Sequence, residues 1–196
     1  ATFITRRAYE QIAVDICLHN LPVRMIGNGG GFVYAPLGPT HQAIEDIAAM
    51  RCLPNIAIVV VCDADEMTRL MKKSLSWPGP IYIRLGKGGE PIISDEKNGF
   101  EIGKAIPLRE KKNPKITILT TGVLGKAALE AADMFEARGL VTNVVHHHTI
   151  KPLDKKSVVS SGKESSIIIT LEEHVFDGGF GSSVGEALID AQLPKM

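Results

Sequence analysis

The sequence has no excess of either charge. Lysine plus arginine number 22 and aspartate plus glutamate 22, a formal net charge of zero. That balance removes the electrostatic case for nucleic acid or an anionic membrane as partner, so any handling of phosphate falls to local groups. Cysteine is scarce as well: Cys17, Cys52 and Cys62 are the three present, widely spaced in apolar patterns. An odd count at such spacing argues against a disulfide framework, makes no metal motif and suits a reducing cytoplasm. No apolar run is long enough to cross a bilayer, and no signal peptide is visible. Two familiar nucleotide motifs are missing too. The loop from Gly27 to Leu37 clusters glycines but lacks the lysine and hydroxyl residue of a P-loop, and Gly179, Gly181 and Gly185 do not make the GxGxxG spacing.

What is present is a folded α/β chain. Hydrophobic residues make up 44% of 196, the content of an ordinary globule with room for one large or two small domains. Thr5 to His19 reads as a helix, with Tyr9, Ile12, Ala13, Ile16 and Cys17 on one stripe. Pro22 to Ile26 reads as a strand and Gly27 to Pro39 as a loop. Thr40 to Cys52 reads as a helix and Ile56 to Val61 as a strand covered on both faces. A helix capped by Asp63 and a strand from Ile81 to Leu85 follow. Gly86 to Pro114 breaks the alternation, with one short strand near Phe100 to Ile106, and its run Arg109-Glu110-Lys111-Lys112 reads as a solvated linker. A second unit restarts with a strand at Lys115 to Thr121 and a helix from Val123 to Arg138 stopped by Gly139. Strands at Val141 to Val145 and Ser166 to Leu171 and a closing helix from Gly181 complete it. The expected fold is two open, mainly parallel sheets with flanking helices, divided into residues 1–108 and 109–196.

Several residues invite chemistry, each beside a plainer role. His41, in the expected first turn of a helix, would meet unpaired N–H groups and a positive dipole end that disfavour an imidazolium. Alternatively Thr40 caps the helix and His41 only packs beside it. Phe3 and Tyr9 read by pattern as core aromatics. Arg84, at the carboxyl end of a buried strand, stands where α/β folds bind ligands and could pair with phosphate or carboxylate, or form a structural ion pair. Tyr34 offers a hydroxyl from the glycine loop. His146 and His148 share one face of a strand end, but no acidic or cysteine residue is adjacent in sequence to complete a metal site, so a polar strand end near a domain interface is expected.

The stretch Gly38-Pro39-Thr40-His41-Gln42-Ala43-Ile44-Glu45-Asp46-Ile47-Ala48, with Leu53-Pro54-Asn55, resembles the pyrimidine-binding domain of transketolase-family enzymes. Four further stretches agree in order. They are Ala1-Thr2-Phe3 with Tyr9 downstream, Pro80 to Gly86, Thr149-Ile150-Lys151-Pro152-Leu153-Asp154, and Glu172-Glu173-His174 followed by Gly178 to Ser182. The last two resemble the family's C-terminal domain. The resemblance implies thiamine diphosphate as cofactor, with Phe3 and Tyr9 against its aminopyrimidine ring, His41 near the reacting centre and Arg84 on a substrate phosphate. Arg6 stands where the pattern often has another aromatic. Sugar-processing members carry a histidine near Gly29 and an acidic residue near Leu37. This chain has neither, which implies an altered substrate pocket that Tyr34 could serve.

The resemblance also implies what lies elsewhere. The glutamate that activates the cofactor would precede Phe3, and the diphosphate and its magnesium would be held by a partner domain or subunit. The ends read as cut, so a fragment or subunit inactive alone is expected. The activity implied is transfer of a two-carbon or acyl unit between small carbonyl or sugar compounds, in a homodimer whose sites are completed across the interface. Two other readings stay open: a beta-type subunit of a 2-oxo-acid dehydrogenase decarboxylase, and a non-catalytic association module.

Overall fold

The computed structural model describes residues 1–193, so the last three positions of the second expected domain lie outside it. The chain forms two four-stranded sheets with helices around them. The first has the order β1 (Arg24–Gly27), β3 (Ile81–Arg84), β2 (Ala57–Val60), β7 (Thr149–Lys151). β1, β3 and β2 run parallel and β7 is antiparallel to β2. The second has the order β4 (Ile106–Arg109), β6 (Thr142–His146), β5 (Ile116–Thr120), β8 (Ile167–Leu171). Its β6, β5 and β8 are parallel and β4 is antiparallel.

The buried runs explain the strands. Every residue of β2, Ala-Ile-Val-Val, and of β3, Ile-Tyr-Ile-Arg, is buried; such runs fit a central position covered on both faces. Between them lies α4 (Ala64–Ser74), started by the Asp63 carboxylate accepting from the Glu66 N–H at 2.8 Å. Acidic Asp65 and Glu66 in its first turn and Lys72 and Lys73 in its last complement the helix dipole. In the second unit α5 (Gly125–Glu136) runs out at Gly139, whose φ of 77° supplies the left-handed stop. A single core cluster joins the units, since Met25, Ile58 and Tyr82 of the first pack with Leu119, Ile150, Val158 and Phe180 of the second. Gly122, at φ 61°, lets the chain lie against β2, where a Cβ would come within 2.8 Å of Val60 Cγ1.

Four expectations are corrected. The first helix begins at Thr2 and is interrupted: α1 (Thr2–Arg7) and a short α2 (Tyr9–Gln11) lead into a π-helical turn, Ile12–Cys17. The helix expected from Thr40 is confined to α3 (Asp46–Arg51). Its missing turn has a cause: the Ala43 carbonyl accepts from Gly31 N–H at 2.8 Å and from Arg84 Nη2 at 2.7 Å, and so is taken from any helix. The strand expected near Phe100 to Ile106 is β4, which pairs in the second sheet, so the cut at 108/109 runs through it. Finally, α6 (Lys155–Glu164), capped by Asp154, and the returning strand β7 were not anticipated; α7 (Phe180–Asp190) closes the chain.

Candidate active site

Phe3 and His41 meet although 38 positions apart. Their rings pack edge to face with centroids 5.1 Å apart. Arg6 holds the two segments together. Its guanidinium pairs with the Glu45 carboxylate and donates from Nη2 to the Gln42 carbonyl at 3.2 Å. The bond from Arg6 holds the Glu45 carboxyl below the usual carboxylate range. Reciprocal bonds between Gly31 and Ala43 pin the base of the loop, and a turn from His41 N–H to the Gly38 carbonyl at 3.0 Å sets its tip. Thr40 Oγ1 lies 3.0 Å from His41 Nδ1, and among the described residues no protein group bonds Nε2. Phe3 is 46% exposed, and the Arg7 guanidinium sits 4.6 Å from its ring centroid, a cation–π contact on one face. The electrostatic argument for His41 changes with the fold, because it lies in a turn five residues before α3 and not in a helix's first turn.

Of the other expected site residues, Tyr9 and Arg84 bond to protein groups and Tyr34 stands on the glycine loop. Tyr9 packs against the core cluster, and its hydroxyl donates to the Ala49 carbonyl at 3.3 Å. Arg84, 5% exposed, donates from Nε to Asp46 Oδ2 at 2.8 Å and from Nη2 to the carbonyls of Ala43 and Glu173 at 2.7 and 3.0 Å. It therefore forms a structural ion pair, and these donors are committed to protein. The Tyr82 hydroxyl donates to the same Asp46 oxygen at 2.7 Å. Burial, then the Asp46 charge, push the Tyr82 hydroxyl well above its usual range. The glycine loop packs on this buried group and on Glu173: a Cβ at Gly30 would stand 2.7 Å from Arg84 Nε, and one at Gly31 would collide with Glu173 Oε2. Internal packing thus accounts for these two glycines. Tyr34 lies at the loop's outer side, its hydroxyl 3.5 Å from Asn28 Nδ2 and its ring centroid 5.9 Å from Lys87 Nζ. Asn28 and Lys87 also line a cavity of about 470 Å³ with Cys62, Asp63, Gly86 and Glu90. Asp63, in its lining, accepts from the backbones of Ile93 and Ser94 at 2.9 and 2.8 Å. Burial pushes the Asp63 carboxyl up, but these bonds, with that from Glu66, overcome it and hold it at about 2.

Asp46 was missed in sequence, though Tyr82 and Arg84, two apart on one strand face, signalled a shared partner. The three consecutive histidines are all buried. His148 stacks on Phe100 at 4.1 Å and His147 tilts against Phe180 at 5.4 Å; burial pulls their imidazoles down to about 4 and about 3. The acidic and cysteine companions that the sequence did not place beside His146 come from α4 and the link before it: Glu66 Oε2 is 3.0 Å from its Nε2, and Cys62, between β2 and α4, lies close by. Glu172 caps α7 by accepting from the N–H groups of Phe180 and Gly181, both at 2.7 Å.

The model of the transketolase pyrimidine-binding domain matches residues 1–90, and that of the transketolase C-terminal domain matches 103–195. The chain belongs to the transketolase family. A 1-deoxy-D-xylulose-5-phosphate synthase from Synechococcus sp. (strain JA-3-3Ab) is 36% identical, aligned over 98% of this chain and 30% of its own length. A subunit of an apulose-4-phosphate transketolase from Phocaeicola vulgatus is 33% identical, over 99% of this chain and 62% of its own. A solved structure described as a split-gene transketolase, inactive beta4 tetramer, is 38% identical with a TM-score of 0.87, covering 96% of this chain and 60% of that one. The chain thus spans from under a third to about three fifths of the length of these relatives. The family depends on thiamine diphosphate. The residues here fit its pyrimidine end, since Phe3 presents a half-exposed ring beside His41. No helix among the described residues is long and apolar enough to cross a membrane.

Proposed function

We propose that this chain is the pyrimidine-side and C-terminal portion of a transketolase-like enzyme, which moves a two-carbon or acyl unit between small carbonyl or sugar compounds. The contact between Phe3 and His41 carries the reading. It sets a half-exposed aromatic ring, able to lie against an aminopyrimidine, beside an imidazole whose Nε2 has no protein partner among the described residues. Thiamine diphosphate, when bound, supplies an electron sink for carbon–carbon bond making and breaking. Phe3 orients the pyrimidine end. Thr40 steadies the His41 ring through Nδ1, and His41 binds a donor hydroxyl or carbonyl through Nε2 and passes its proton. Tyr34 and Lys87 at the outer loop meet the remote end of the substrate. Arg84 acts from behind, holding Asp46 and the loop that carries His41.

The diphosphate and its magnesium are assigned to a partner domain or subunit, so the chain alone is inactive. Support comes from two relatives, one named as a single subunit of its enzyme and one described as an inactive beta4 tetramer. Self-association, in the simplest case a homodimer, would precede docking of that partner, and the three free cysteines suit a reducing cytoplasm. The test is reconstitution with a diphosphate-binding partner chain, magnesium and thiamine diphosphate, offering ketose and 2-oxo-acid donors side by side. Ketose-dependent transfer that needs both chains is expected. Turnover confined to 2-oxo acids with a lipoyl acceptor would move the assignment to the dehydrogenase-type subunit, and no turnover with any donor would leave an association module.

A further inference from the structure

Cys62, Glu66 and His146 converge at the junction of the two units. One ligand atom from each lies within 4.8 Å of the other two. Cys62 follows β2, Glu66 sits in the first turn of α4, and His146 closes β6. All three are buried, with exposures of 2%, 0% and 0%. Glu66 Oε2 accepts from the Cys62 N–H at 2.7 Å and meets His146 Nε2 at 3.0 Å. Two atoms are left over. Glu66 Oε1 and His146 Nδ1 are buried without a hydrogen-bond partner. Buried polar groups are nearly always satisfied; His146 Nδ1 faces away from Glu66, across the ring from the Nε2 contact, so it is the unused Glu66 Oε1, beside a thiol and Nε2, that points to a group this cluster is built to hold.

We propose that Cys62, Glu66 and His146 bind a thiophilic divalent cation of the zinc type, which ties the first unit to the second. The donor set selects the ion. Thiolate, imidazole and carboxylate at about 2.0–2.3 Å suit zinc, whereas magnesium and calcium take oxygen ligands. Ligand atoms of a tetrahedral zinc site stand roughly 3.5 Å apart at those bond lengths, so atoms already within 4.8 Å need small side-chain rotations. On binding, the Cys62 thiol releases its proton to solvent, the His146 Nε2–Glu66 Oε2 hydrogen bond gives way as the ring proton moves from Nε2 to Nδ1, Glu66 coordinates as carboxylate and His146 as neutral imidazole through Nε2. Three protein ligands leave the fourth position to water. Cys62 also lines the cavity beside Gly86 and Lys87, which gives the ion a route in. The site uses neither Phe3 nor His41 and does not rest on the proposed activity.

The test uses the purified chain, stripped with a chelator and reloaded with zinc, magnesium or cobalt(II). One equivalent of zinc per chain by mass spectrometry of the metal is expected. So are a higher Tm with zinc but not magnesium, and a thiolate-to-cobalt charge-transfer band. Cys62→Ser should abolish that band and weaken zinc binding by at least about a hundredfold, since losing a ligand costs more than the roughly 10–100-fold of losing a residue that only orients one. Cys52→Ser, at the exposed cysteine, should change neither. Because a buried substitution can fail to fold, the wild-type stoichiometry and cobalt spectrum decide by themselves. Substoichiometric zinc, a cobalt spectrum without thiolate character, or a band removed by Cys52→Ser would each overturn the site.

Discussion

Replacing Arg84 with alanine separates a structural arginine from a substrate-binding one. Its guanidinium is 5% exposed and makes three bonds to protein, the shortest of them 2.7 Å to Ala43. Alanine would leave the Asp46 carboxylate, 1% exposed, with the Tyr82 hydroxyl as its remaining side-chain partner. It would also release the Ala43 and Glu173 carbonyls and the loop that carries His41. Breaking a buried ion pair by removing one partner costs about 3–5 kcal/mol. For a chain of this size about 2–4 °C of Tm corresponds to each kcal/mol, so thermal unfolding should fall on the order of 10 °C. Arg84→Lys keeps the charge but cannot bond along the same fork, and should fall between. Adding Asp46→Asn to Arg84→Ala removes the stranded charge and should recover part of the loss. The assay is calorimetric unfolding of the whole chain. An Arg84→Ala protein that melts within about a degree of wild type would refute the argument and return Arg84 to the substrate.

Other outcomes follow from the same geometry. The folded-state pKa of Tyr82 is raised, so its contribution to stability is full below the ordinary tyrosine value of 10 and is lost as pH rises beyond it; alkaline titration of tyrosinate absorbance should show one of the three tyrosines ionising only as the chain unfolds, and Tyr82→Phe should remove that step. Gly122→Ala puts a Cβ at a φ of 61° and 2.8 Å from Val60 Cγ1, and should cost about 1–3 kcal/mol in denaturant unfolding. Glu172→Ala strips the α7 N-terminus of both carboxylate contacts and should lose about 1–2 kcal/mol, with Glu172→Gln closer to wild type.

Local rules made much of this fold readable. The Ile56 to Val61 run could only be a covered strand, Asp63 announced a cap and Gly139 a stop, and each holds that place. The errors come where tertiary contacts outweigh local preference. Thr40 to Glu45 has a helix-like pattern, but Gly31 and Arg84 take the Ala43 carbonyl. The segment of α6 carries Ser160, Ser161 and Gly162, poor helix formers; Gly162 suits a close approach to α7, where a Cβ would be 2.8 Å from Leu188 Cδ2. At the candidate site, the resemblance named His41 and Phe3 separately. Their contact was not legible, because it depends on Arg6 reaching Glu45 and Gln42 across 39 and 36 positions. The same limit hid the approach of Glu66 to His146, 80 residues away.

Whether the Phe3–His41 ring pair stands at the reacting centre is decided by comparing Phe3→Ala and His41→Ala in the enzyme reconstituted with its diphosphate-binding partner, reading cofactor affinity and turnover separately. Phe3→Ala should weaken thiamine diphosphate first. His41→Ala should leave that affinity nearly unchanged and lower turnover about a hundred- to ten-thousandfold, the range of a positioned acid–base group. Full turnover in His41→Ala with every ketose and oxo-acid donor, or unchanged cofactor affinity in Phe3→Ala, would contradict that placement.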